Sequence, residues 1–415
     1  LTQSDIGGLS LESIGCYASS PEEIAALCTD VSNMKEIRLN AGAETLDGLD
    51  RFQNLETLYI DNIDSPDISQ IVNLPSLKSL TLEYCDSLSD FSVFRVMDSL
   101  EELDVESENL KSLDFLPAMQ SLKKLRVADA GILTLSGLED LTELETLTIE
   151  YCSNLKNMEA VENLTGLQEL YLELPYDCPQ PDLSKLTQLS RLGLSQFEDC
   201  AFLSGMTELT SLSLSNCALE NTVSLSNLVK MEELSLRNYS SLGQPIGFLY
   251  GFPSLKKLNL AGVATYDDIS GIFNIPTLAY LNMNGMECEI AFDRIKDNPS
   301  LTELHMDGLL LYENVNVSGG GGIYSVGWDD VTLDDHTGFL SHFPSLAILS
   351  IAENELTDIS FAENLPLLEQ IDISDNFVTD LKPLSGLGKL KAVTCTGNPV
   401  SNYRVLDDKV TVISE

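Results

Sequence analysis

Three groups of residues in this 415-residue chain have types and spacings that would do chemistry. The first is a column of carboxylates. Asp61, Glu83, Glu106, Glu150 and Glu173 recur at 22 or 23 residues, or twice that, with Tyr59 ahead of Asp61 and with Glu102 and Asp104 ahead of Glu106. If each period contributes one strand, these carboxylates lie about 5 Å apart. Like charges that close raise some carboxylate pKa values and attract cations or a basic partner. The opposing reading is a solvated acidic surface, relieved where Glu102 meets Lys124 and Asp104 meets Arg126 one period on. The second group is Glu303, His305 and Asp307, alternate residues of one segment, with Asp329 on the next strand. A histidine between carboxylates is a metal-ligand pattern; one histidine on an open sheet argues for an ordinary polar cluster, and no metal is assigned. The third group sets Tyr171, Arg191, Arg237, Lys257 and Tyr280 around the small residues Gly193, Ser213, Ser235, Asn259 and Asn282. Aromatic rings beside polar groups suit a glycan or an extended peptide, with a plain polar surface as the alternative.

Catalysis finds little support. Nucleophilic chemistry needs a Cys or Ser within reach of a His, and Cys288 falls on the far side of the strand turn from the face that His305 occupies. Acid–base work by the paired carboxylates lacks an enclosing, water-poor pocket. No phosphate loop, C-x-x-C pair or cofactor fingerprint occurs, so no cofactor is expected.

What must position these residues is a repeated frame. From Leu346 to Val400 the pattern L-x-x-L-x-L-x-x-N appears three times, starting at Leu346, Leu368 and Leu390. In the x-L-x-L-x part alternate residues point to opposite faces, so the leucines go inward and the third, fifth and seventh positions go to solvent. The Asn turns the chain while bonding backbone groups of neighbouring coils. Equivalent starts occur at Met34, Leu55, Leu77, Leu100, Leu122, Leu144, Leu167, Leu189, Leu209, Met231, Leu255, Leu278 and Leu301. A single period cannot bury its leucines, so the coils must stack.

This pattern resembles the leucine-rich repeat, in the internalin-type class of 22-residue repeats found in bacterial surface proteins. The resemblance covers nearly all of Met34 to Val400. It implies an α/β solenoid of about 17 coils, with a curved parallel sheet on the concave face and turns with short 3₁₀ or α segments on the convex face. It also implies binding on the concave face, with no specific contact carried over. The immunoglobulin-like region that often follows such arrays is absent from this sequence, which weakens an adhesion analogy.

Three domains are expected: a cap over 1–33, the array over 34–400 and a second cap over 401–415. Ser20-Pro21-Glu22-Glu23 is a helix start, and Lys409 to Ile413 a closing strand. The step from Leu301 to Leu346 is 45 residues; taking Ile323 to Val331 as a degenerate copy divides it in two. The coil at about 309–345 thus carries an inserted Gly-rich loop, either a tolerated insertion or a binding element.

With 65 acidic and 23 basic residues the chain carries a formal −42, which disfavours nucleic acid and anionic membranes. No apolar run is long enough to insert in a membrane. The nine cysteines lack disulfide-framework spacing: Cys85, Cys152 and Cys217 stand at the Asn position, Cys395 replaces an inward Leu, Cys178 and Cys200 occupy equivalent points of adjacent coils, where stacked core thiols are expected with a coil-to-coil disulfide as the alternative, and Cys16 and Cys28 both belong to the N-terminal cap, with their pairing left open. The chain begins at Leu1 rather than Met, consistent with a removed leader. Together these features describe a monomeric, non-catalytic binding module for a protein, basic if the acidic column is used, or for a glycan. Its expected place is outside the cell or on its surface, with an intracellular scaffold as the alternative.

Overall fold

The computed structural model describes residues 11–16, 20–28, 30–39, 42–217, 219, 222–237, 246–311 and 332–414. Two compact units divide it, residues 1–198 and 199–415.

In the first unit each coil contributes one short strand to a parallel sheet. The strands are β1 (Ser13–Cys16), β2 (Glu36–Leu39), β3 (Thr57–Asp61), β4 (Ser79–Glu83), β5 (Glu102–Glu106), β6 (Lys124–Ala128), β7 (Thr146–Glu150), β8 (Glu169–Glu173) and β9 (Arg191–Ser195). Each pairs with the next in chain order, with Leu58, Leu80, Leu103, Leu125, Leu147, Leu170 and Leu192 in one register row. All are nearly or fully buried. This row exists because the inward position recurs once per coil, and at about 25 cal/mol per Å² its burial is what holds the stack together. Helix α1 (Pro21–Leu27) buries Ile24 and Ala25. Its first turn holds Pro21, whose missing N–H costs nothing there, followed by Glu22 and Glu23, which favour the positive helix end.

The second unit repeats the plan with β10 (Ser211–Ser215), β11 (Glu233–Arg237), β12 (Lys257–Asn259), β14 (Tyr280–Asn282), β16 (Glu303–His305), β18 (Ile348–Ser350), β19 (Gln370–Asp372), β20 (Ala392–Thr394) and β21 (Thr411–Ile413). A separate three-stranded parallel sheet is made by β13 (Ala264–Asp268), β15 (Glu287–Glu289) and β17 (Leu310–Leu311). Nothing in the frame announces this second sheet.

One expectation is corrected here. Strand β16 pairs directly with β18, Glu303 opposite Ile348 and His305 opposite Ser350, so the ladder has no place for a strand between them. The degenerate copy at Ile323 to Val331, the four glycines and Asp329 lie outside the described residues. Within the main sheet the 45-residue step therefore separates two neighbouring strands rather than three.

The sides of the coils away from the strands carry 3₁₀ turns such as Ser69–Asn73, Ser92–Val96 and Ser360–Asn364. Period 22 leaves too few residues for a longer helix. Many acidic residues serve these turns: Asp67, Asp90, Asp182, Asp268 and Asp358 each accept the N–H two residues on, at 2.8 to 3.0 Å. Such side-chain turns satisfy amides that would otherwise be unpaired. Part of the large negative charge is thus structural.

At the end of the array the repeat asparagines form a buried ladder. Asn376 Nδ2 donates to the carbonyls of Ile351, Ile373 and Ser374, while its Oδ1 accepts from the amides of Asn354 and Leu356. Asn354 and Asn398 do the same one coil either side. Cys85 and Cys152 replace Asn with a thiol that lies within reach of two carbonyls each, at 3.2 to 3.9 Å. Burial pushes both thiols up to about 11. The described cysteines, including Cys28, Cys178 and Cys200, are free thiols. Cys200 is raised by its hydrogen bond with Cys217 and by burial. The Cys16 side chain lies outside the described residues.

Candidate binding surface

Sheet register sorts the solvent-facing side chains of the first unit into three rows. The third positions run Thr57, Ser79, Glu102, Lys124, Thr146, Glu169, Arg191; the fifth run Tyr59, Thr81, Asp104, Arg126, Thr148, Tyr171, Gly193. The seventh-position row holds the acids, with Asp61 opposite Glu83, Glu106 opposite Ala128, Ala128 opposite Glu150, and Glu173 opposite Ser195.

Arg126 organises the middle of this face. Its Nη1 donates to Asp104 Oδ1 at 3.0 Å, its Nη2 lies 2.7 Å from Glu150 Oε1, and Glu106 Oε2 sits 3.4 Å from both terminal nitrogens. Ala128, two residues on, explains the reach: its methyl group leaves open the space between Glu106 and Glu150. One planar guanidinium thus serves three carboxylates, as its fork of five donors permits. Burial lowers the Arg126 pKa, but the bonds and charges of Asp104 and Glu150 outweigh it and hold the group above its ordinary value. Burial is also the largest cause raising Asp104 and Glu106, opposed by Arg126 and reinforced by Glu83. The upward shift expected from like-charge repulsion is present at these two residues, with desolvation ahead of repulsion. An open groove of about 220 Å³ borders the cluster, lined in part by Thr81, Asp104, Arg126 and Thr148.

Around it, Tyr59 donates its hydroxyl to Glu83 Oε2 at 2.6 Å and lies under Arg38, whose guanidinium is 5.5 Å from the ring centre. The Glu83 bond raises the Tyr59 pKa. Glu102 pairs with Lys124 at 2.5 Å. Glu173 accepts from the Tyr151 amide at 3.0 Å and from Gln196, so it braces the next turn as well as facing solvent. Tyr171 lies across Gly193, where a Cβ would collide with its ring. Arg191 sits 3.6 Å from Glu169.

In the second unit the expected residues are mostly tied to the fold. Lys257 pairs with Glu233 at 2.7 Å, and Arg237 is exposed at the end of β11. His305 Nε2 lies 2.8 Å from Glu303 Oε1, with the Tyr280 ring 5.5 Å away. Asp307 is used up: its Oδ1 accepts from Ser350 Oγ at 2.6 Å and the Ala352 amide at 2.8 Å, and its Oδ2 from Asn284 at 2.7 Å. Asn259 and Asn282 likewise accept the amides two residues on. These two asparagines of the small-residue floor therefore stitch the strand ends. Sequence reasoning set Arg126 against Asp104 alone; the signal for the rest was Ala128 between Glu106 and Glu150.

A family model for leucine-rich repeats, in two copies, matches residues 344–386. The whole architecture is similar to a leucine-rich-repeat protein of Leptospira interrogans, at a TM-score of 0.56 and 16% identity over 96% of this chain and 99% of that one. The functional domain of InlJ from Listeria monocytogenes follows, at a TM-score of 0.52 and 17% identity over 86% of this chain and 73% of that one. The chain has a leucine-rich-repeat fold of the internalin type. The chain is also 27% identical over 197 residues to the disease resistance protein RPS4B of Arabidopsis thaliana, a match that covers 45% of this chain and 16% of that protein. The chain spans under half the length of the curated relatives it matches. Among the described residues, no helix is long and apolar enough to cross a membrane.

Proposed function

We propose that this leucine-rich-repeat chain is a non-catalytic binding module whose first unit recognises a basic protein segment on the open face of its sheet. The observation that carries this reading is the shortage of cations on the seventh-position row. Asp104 and the acids of that row, Glu106 and Glu150, share the single guanidinium of Arg126, while Asp61, Glu83 and Glu173 lie along the same face. A basic side chain arriving there meets partly desolvated carboxylates that are already oriented, which favours fast, salt-sensitive association. Repeat solenoids supply rigid extended surfaces of this kind. The resemblance to the internalin-type class supports secretion or display on a bacterial surface, with residues 1–33 and 401–415 closing the ends of a monomeric array. The free thiols favour a second reading, an intracellular scaffold or regulatory subunit that binds its basic partner on the same face.

A panel of extracellular and cytosolic proteins graded in isoelectric point, together with a glycan array, tests this at low and high salt. Binding to basic proteins that weakens steeply with salt is expected. Binding confined to glycans, or indifferent to salt, overturns it.

A further inference from the structure

A cleft of about 580 Å³ opens on the 3₁₀ side of the second unit, where the turns Ile246–Gly251, Ser270–Asn274 and Phe292–Arg294 come together. Its wall is Tyr250, 47% exposed although aromatic. The hydroxyl end of that ring lies against Gly271: a Cβ there would come 2.7 to 2.9 Å from the Tyr250 Cζ, hydroxyl and Cε1 atoms. Only glycine leaves room for the ring in this position.

The rim is held in place by bonds that do not consume it. Asp268 Oδ1 accepts the amides of Ser270 and Ala291 at 2.9 and 3.0 Å, and its Oδ2 holds one terminal nitrogen of Arg294 at 2.8 Å. The Arg294 side chain as a whole is 69% exposed. Asn274 fixes the next residues, donating to the Arg294 carbonyl and accepting the Lys296 amide. The cleft is thus given donors by Arg294 and Lys296, an acceptor by Asp293, and an aromatic surface by Tyr250.

Net charge chooses the ligand class. Among the lining residues Asp268 and Asp293 balance Arg294 and Lys296, so an anion gains nothing overall. The mixture of donors and acceptors beside a ring matches hydroxyl groups, which both donate and accept, on a ring whose C–H face is apolar. The volume suits one or two sugar units. We propose that this cleft is a binding site for a neutral pyranose saccharide, separate from the protein-binding face of the first unit.

The test is titration of the full chain with cellobiose, maltose, lactose and chitobiose, followed by NMR or calorimetry, with glucuronic acid as the charged comparison. At least one neutral disaccharide is expected to bind, and Tyr250→Ala to weaken it at least tenfold. Gly271→Ala, which keeps the aromatic ring but displaces it, should weaken it similarly, and Asp293→Asn by a smaller factor, each with an unchanged circular dichroism spectrum. Glu83→Lys on the first unit should leave it unaffected, so failure here is distinguishable from failure of the protein-binding reading. Absence of binding by all four disaccharides, preference for glucuronic acid, or binding that survives both Tyr250→Ala and Gly271→Ala overturns the proposal.

Discussion

Arg126 on β6 grips Glu150 on β7 with two nitrogens, Nε at 2.9 Å and Nη2 at 2.7 Å from the same carboxylate oxygen. The same side chain reaches back to Asp104 and Glu106 on β5, so one residue ties three strands of the acidic face together.

Removing that guanidinium leaves three partly buried carboxylates side by side. Arg126→Ala is expected to destabilise the first unit by about 2 to 3 kcal/mol, since the loss combines charged hydrogen bonds with uncompensated charge. Arg126→Lys should fall between, because a point charge cannot serve three acceptors in one plane. Urea midpoints of the three proteins check the order.

The pH dependence has a definite sign. Asp104 and Glu106 are raised in the folded chain by burial. A carboxylate raised on folding contributes stability that is present below its unfolded pKa and is lost as pH rises through its folded value. Glu106→Gln should therefore gain stability relative to the parent as pH climbs above the usual carboxylate range, and the difference should shrink in acid. Melting temperatures measured from pH 4 to 7 check this. A difference that grows toward acid would contradict it.

In the asparagine ladder, Asn376→Ala removes a side chain that makes five buried hydrogen bonds to backbone groups. A loss of about 3 to 5 kcal/mol is expected. Cys85→Ala at the equivalent position should cost less, about 1 to 2 kcal/mol, because a thiol bonds weakly and mainly fills space. Chemical denaturation of both variants measures the contrast.

The frame made most of this fold legible. Inward leucines such as Leu58 and Leu349 are fixed by alternation within five residues, and Asn376 by its place after the strand. Features that depend on the neighbouring coil were not legible in the same way. The reach of Arg126 depends on the small residue at 128 and on acids two strands apart. Asp307 reads as a free surface acid until Ser350 is known to be its neighbour, and that follows only once β18, not a strand near Ile323, pairs with β16. Strands β13 and β15, ATYDD and ECE, are short and polar, so no alternation of apolar residues marks them.

Thiol chemistry separates surface from core. Among the described cysteines Cys28 alone is partly exposed, while burial pushes Cys288 far up and holds Cys85 and Cys152 near 11. Since the thiolate is the reactive form, iodoacetamide at neutral pH should label Cys28 first and the buried thiols only on unfolding. Peptide mass spectrometry reads the order.

The most direct measurement is the binding of a basic protein to the parent chain and to the double variant Glu83→Lys with Glu106→Lys, by surface plasmon resonance across a salt series. Both side chains stem from the open face of the sheet, away from the leucine core, although Glu106 is only 14% exposed beside Arg126, so the fold should persist by circular dichroism and a melting curve records any loss of stability. The account predicts a loss of affinity of at least tenfold and a flattened salt dependence. Equal affinity and equal salt dependence in the two proteins would contradict it.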